Sequence, residues 1–186
     1  MDNQEMMLAL EKIGSFLNLP SRLVLIGSSV GMFHGQPSRM TEDIDVWRPA
    51  SRFDDGDLRQ ACDRAGVLFN PTGDIPENTP YLQMIAPGIV RIGDYLKTGE
   101  INVSTFSNLE VAHPPIENII ASKLLRAEPR DIEDIIFLRR KFDISNDQIE
   151  AVIASIPPSR QEAARENIVY LDVADSTAMR QRMGKA

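Results

Sequence analysis

The sequence predicts an α+β chain: a small mixed β-sheet with flanking helices, followed by a C-terminal helical subdomain. Short apolar runs rich in β-branched residues, such as Leu23-Val24-Leu25-Ile26 and Val67-Leu68-Phe69, alternate with stretches of helical period before residue 112. Beyond it, apolar residues recur only at the three- and four-residue steps of helices. The expected division is therefore an α/β core over residues 1–112 and a helical part over residues 113–186, packed on the core.

Residues Asn3 to Leu17 place Met6, Met7, Leu10, Ile13 and Leu17 on one helical stripe suited to covering a sheet. Asn18 and Pro20 end it, and the strand Leu23–Ile26 follows, broken at Gly27-Ser28-Ser29. A short helical stretch (Val30 to Phe33) and a loop (Gly35 to Ser38) lead to a second strand, Asp43-Ile44-Asp45-Val46. A helix is predicted from about Asp55 to Ala65, acidic at its start and with Gly66 just past its end. After the Val67 strand and a proline-rich loop, Tyr81–Ile85 and Ile89–Ile92 are predicted as two strands joined at Pro87-Gly88.

The stretch from Pro114 to Arg140 predicts two helices broken at Pro129, with Glu128 as a cap. The first groups Ile116, Ile119, Ile120 and Ala127 around Lys123; the second buries Ile132, Ile135 and Ile136. Ser145 with Gln148, and Ser159 with Glu162, have capping-box spacing on either side of Pro157-Pro158. The final residues turn polar and basic and are expected to fray or to serve as an arm for a partner.

Composition narrows the classes of function. At 186 residues, 42 % hydrophobic and 25 % charged, the chain has ordinary globular values. A formal charge of −7 argues against broad adhesion to nucleic acid or anionic membranes, which needs a surplus of Lys and Arg. Cys62 is the only cysteine, which excludes an intrachain disulfide or a cysteine zinc cluster and suits a reducing cytoplasm. No apolar run approaches the roughly 20 residues of a membrane span, and no basic segment precedes an apolar core as in a signal peptide.

The chemistry concentrates between Leu23 and Trp47. A two-residue period puts Asp43 and Asp45 on one face of a strand. Carboxylates held that close repel each other, and a hard divalent cation, Mg²⁺ or Mn²⁺, relieves the repulsion while completing its shell with water and substrate phosphates. With a glycine turn at Gly27-Ser28 upstream, the stretch suggests a site for a metal-bound nucleoside triphosphate. His34 lies between the two and is read as a loop residue.

Gly27-Ser28 followed by Arg39, Thr41, Asp43 and Asp45 resembles the signature of the nucleotidyltransferase fold, the superfamily of DNA polymerase β. Within it the chain looks most like small bacterial proteins related to the AbiEii abortive-infection toxins. The run Lys123, Ala127, Arg130-Asp131 and Asp134 is similar to the Lys…Arg-Asp…Asp motif of that branch. One departure stands out, because enzymes of this fold usually carry a third carboxylate on the strand beside the first two. Here Gln83 takes that place, with Asp94 and Glu100 nearby in sequence as substitutes.

The resemblance implies transfer of a nucleoside monophosphate from a triphosphate, with Asp43 and Asp45 as metal ligands and Gly27, Ser28, Arg39, Thr41 and Lys123 at the nucleotide. An ammonium on an apolar stripe is costly unless it finds an anion or its stem snorkels to solvent, and Lys123 is expected to reach the carboxylate site or the phosphates. Asp131 and Asp134 share a helix face and are expected to pair with Lys123 or Arg126 or to support the metal. The acceptor is left open among RNA such as tRNA, a protein hydroxyl and a small molecule, and a toxin–antitoxin partnership is implied. The rival is a fold that has lost turnover and serves as a binding or antitoxin-like partner, and a third reading is a homodimer formed through the Met-rich first helix.

Overall fold

The structure, a computed structural model, describes residues 1–95 and 98–183, with side chains through residue 169 and at Leu171. The chain divides into two units: Met1–Val90 with Lys97–Pro115, and Arg91–Leu96 with Ile116–Ala186. The first holds helices and strands, and the second is built on helices.

In the first unit, α1 (Asn3–Phe16) starts at a capping box: the Asp2 carboxylate accepts from the Glu5 amide and Glu5 reaches back to the Asp2 amide. Its stripe of Met6, Leu10 and Ile13 is fully buried, whereas Met7 is only half covered. The strands are β1 (Ser21–Val24), β2 (Asp43–Trp47), β3 (Leu68–Phe69), β4 (Tyr81–Ile85), β5 (Ile101–Phe106) and β6 (Leu109–His113). Between them lie α2 (Ser28–Phe33) and α3 (Asp55–Ala65). The latter is capped by Asp54 and closed by Gly66 in the left-handed conformation. Cys62 packs inside α3, and burial pushes its thiol up to about 12.

β1 runs parallel to β6, which pairs antiparallel with β5; β4 lies between β2 and β3, all three parallel. The two ladders meet where Leu25 bridges Val46 and the Ile26 N–H donates to the Asp45 carbonyl at 3.0 Å. The first strand is thus Ser21–Val24 rather than Leu23–Ile26, because Leu25 already bridges Val46 and Ile26 turns its amide to Asp45. Leu23, Leu25, Ile26, Ile44, Val46, Leu82 and Val111 form the core around this junction.

Two expectations fail in this unit. Residues Ile89–Ile92 form no strand: only an isolated bridge joins Pro87 and Val90, and Ile89 is 70 % exposed. The alternation there has no neighbouring strand to pair with. The unpredicted hairpin β5–β6, turning at Ser107 (φ +51°), supplies the remaining strands instead.

The second unit contains α4 (Ile116–Leu124), α5 (Pro129–Phe142), α6 (Asn146–Ile153) and α7 (Pro158–Met183). Ala127 leaves the helix at φ +51°, and Glu128 sits at the cap position of α5 without a capping hydrogen bond. The buried set on α5 is Asp131, Asp134, Ile135 and Leu138, while Ile132 and Ile136 are partly exposed, so the face is rotated from the all-isoleucine stripe. Ser145 and Gln148 form the expected box, but Ser159 falls inside α7, whose first residue is Pro158. Buried Asn118 donates to the Ile92 and Asp94 carbonyls, and Ser155 accepts from the Asp94 amide at 2.8 Å, which holds this returning segment on the helices. Among the described residues no helix is long and apolar enough to cross a membrane.

Candidate active site

The site is assembled from the turn after β1, strand β2 and strand β4. β2 alternates: Ile44 and Val46 are fully buried, and Asp43 and Asp45 share the opposite, partly open face. Gly27 (φ +63°) sets its backbone so close to Asp45 that a Cβ there would collide with the carboxylate oxygen Oδ2. Only glycine meets both demands, the positive φ and the missing side chain. Ser29, fully buried, accepts from the Asp45 N–H at 2.9 Å and ties the turn to the strand a second time. The Thr41 hydroxyl donates to Asp43 Oδ1, which aims that carboxylate.

β4 completes the face. In register, Tyr81 lies beside Asp43 and Gln83 beside Asp45. Burial raises the Tyr81 phenol, and the charges of Asp43, Asp45 and Glu42 raise it further, so it stays protonated and faces the carboxylates as a neutral hydroxyl. Gln83 Nε2 donates to Asn70 Oδ1 at 3.1 Å. Among the described residues no group of three or more His, Cys, Asp or Glu side chains is placed to hold a metal ion. The position beside Asp45 in register is an amide. Of the two residues suggested as substitutes, Glu100 ion-pairs with Arg22 at 3.6 Å, and the Asp94 backbone is bonded to Ser155 and Asn118.

Gly27, Asp43, Asp45, Thr41 and Gln83 thus come together within one unit. Ser28 is buried in the same turn, and Arg39 is partly buried in the loop ahead of Thr41, with Nη1 3.4 Å from the Met40 carbonyl. His34 ends α2 and meets His113, Nε2 to Nε2 at 2.9 Å; burial holds the His113 imidazole below its usual range.

Lys123, Asp131 and Asp134 form a cluster inside the helical unit. The Lys123 ammonium donates to Asp131 Oδ1 at 3.1 Å and to Asp134 Oδ2 at 2.7 Å, and all three side chains are buried. Arg126 clasps Asp131 with Nε and Nη2, at 2.7 and 2.8 Å. Burial alone would raise the Asp131 carboxyl, but these hydrogen bonds and the Lys123 charge hold it below the usual carboxylate range.

Tyr81, Asn70 and Ser29 were not legible as site residues. The signal for Tyr81 was its two-residue step from Gln83; Ser29 and Asn70 act only through tertiary hydrogen bonds.

A glycine turn set against a strand that carries two carboxylates, in a mixed sheet flanked by helices, defines the chain as a protein of the nucleotidyltransferase fold. It belongs to the family described as nucleotidyltransferase of unknown function (DUF6036), whose model matches residues 5–157. No curated protein and no solved structure matches the chain. The family's description names the class of activity as nucleotidyl transfer, which implies a nucleoside triphosphate as substrate.

Proposed function

We propose that the protein is a metal-dependent nucleotidyltransferase that moves a nucleoside monophosphate from a triphosphate to a hydroxyl acceptor. The observation that carries this reading is the approach of the Gly27 backbone to the Asp45 carboxylate, with Asp43 on the same strand face. The donors fit Mg²⁺ or Mn²⁺: hard oxygens only, from Asp43 and Asp45, in a cradle that a Cβ at position 27 would fill. Bound there, the cation would neutralise charge building on the phosphoryl oxygens.

The chain's own groups supply orientation. Thr41 aims Asp43, and Ser29 with the Ile26 amide locks the Asp45 backbone to the turn. Gly27 and Ser28 offer the triphosphate a surface without a projecting side chain, and Arg39 lies on the loop that leads into β2. The acceptor hydroxyl gives its proton to solvent and its oxygen bonds to the α-phosphorus as the bond to the bridging oxygen breaks and pyrophosphate leaves. Preorganised groups of this kind act by holding reactants in place and stabilising charge.

The acceptor class and a toxin-type role, which the likeness to AbiEii-related proteins implies, extend this proposal. Purified protein incubated with each labelled triphosphate, Mg²⁺ or Mn²⁺, and either total tRNA or cell lysate should transfer label, and Asp43→Asn should abolish it. Triphosphate binding that needs no metal and yields no transfer would instead support the rival, a binding protein without turnover, which the amide at position 83 favours. The role at the phosphates expected of Lys123 is judged in the same assay with Lys123→Arg. Unaltered transfer by the folded variant would confine this residue to its ion pairs.

A further inference from the structure

Gln83 sits between two neighbours that ask different things of its amide. β4 is the middle strand of its ladder, so Gln83 has its register partner Asp45 on the β2 side and Asn70, the residue directly after β3, on the other. Asn70 adopts φ +45°, a conformation that asparagine tolerates better than most residues, and its N–H donates to the Leu82 carbonyl at 2.7 Å. From this anchored position its Oδ1 accepts from the Met84 backbone N–H at 3.1 Å.

That bond settles which way both amides point. A backbone N–H can only donate, so the arm of Asn70 that faces β4 is oxygen. Gln83 meets the same oxygen at 3.1 Å and must therefore present nitrogen to it. With its nitrogen arm engaged by Asn70, Gln83 has its carbonyl oxygen left for a further partner, and its register neighbour on the β2 side is Asp45.

We infer that Gln83 is a neutral third ligand beside Asp43 and Asp45, that Asn70 is the positioning residue that presents its oxygen, and that the site takes a single divalent cation. This rests on the metal-dependent reading proposed above. Two carboxylates and an amide oxygen provide two negative charges, enough to balance one such ion. A second ion would lack the third carboxylate that normally draws it in.

The test is Mn²⁺ binding to the full chain, counted by electron paramagnetic resonance of the free ion, with circular dichroism confirming that each variant folds. The wild type should bind one ion. Gln83→Leu should weaken binding about tenfold or more, in the range found when a supporting partner of a metal ligand is lost. Asn70→Gly, which keeps the positive φ and removes only the amide, should do the same, and the double variant should lose no more than either alone. Asn70→Asp retains an acceptor for Gln83 and Met84 and should restore affinity. Two ions in the wild type, undiminished affinity in Gln83→Leu, or additive losses would overturn the inference. Undiminished binding in Asp43→Asn and Asp45→Asn would instead bring down the metal-dependent reading beneath it.

Discussion

At Gly27 the backbone stands at φ +63° and ψ −142°, a region that essentially only glycine occupies, and the space a methyl group would need is already taken by Asp45 Oδ2. Gly66, at φ +77° and ψ 28°, lies in the ordinary left-handed region, with nothing within 4 Å of where its Cβ would stand. Gly66→Ala should cost about 1–2 kcal/mol of stability from the backbone alone, and Gly27→Ala more, both read as lower thermal midpoints. Only Gly27→Ala should also push Asp45 aside, with label transfer falling roughly 100-fold, as misplacement by about 1 Å can do. Equal transfer by the two variants would show that the contact has no bearing on the reaction. Gly27, Asp43 and Asp45 were legible because spacing alone places them on a turn and on one strand face. Asn70 was not, since its partners Gln83 and Met84 lie more than a dozen residues away and are met only across the ladder.

Helices α4 and α5 are joined by a buried ion cluster as well as by apolar contact. The α5 residues that face α4 include Asp131 and Asp134, and a buried ammonium selects that face over one made of Ile132 and Ile136. Lys123→Met would leave two buried carboxylates without the cation between them. Breaking a buried pair in this way costs about 3–5 kcal/mol, so the thermal midpoint should drop by many degrees. A midpoint within a degree of wild type would argue that Lys123 has its main partner elsewhere. Acid should act on the same cluster. Because the folded Asp131 carboxyl is held below its unfolded value, its contribution is complete above about pH 4 and is lost as pH falls through the folded value. Thermal midpoints measured from pH 6 down to pH 2 should fall in that acid window, and less steeply in Asp131→Asn.

At the scale of the molecule, the chain leaves the first unit after β4, contributes Arg91–Leu96 to the helical unit, and returns for β5 and β6 before entering α4. Gly93 is the tight point of that excursion: at φ +76°, a Cβ would stand 2.7 Å from Val152 Cγ1 and 3.0 Å from Ser155 Oγ. Gly93→Ala should destabilise the protein by about 1–3 kcal/mol through overpacking on α6, measured by thermal melting. Unchanged stability would mean that the segment yields freely. This excursion also explains the missing strand, because Ile92, expected in a hairpin with β4, is buried in the helical unit instead. In the Met-rich stripe of α1, weighed as a dimer surface, Met6, Leu10 and Ile13 are fully covered inside the first unit, while Met7 is only half covered. Local periodicity was enough to specify the α+β class, the glycine turn, the carboxylate strand and most of the helices, since each depends on neighbours within a turn or two of the chain. Strand partners, the face that α5 buries and the orientation of Gln83 depend on residues far apart in sequence that meet only after folding. Hydrogen bonds across the ladder and a buried ion cluster made those choices, and no short window of sequence contains both sides of either.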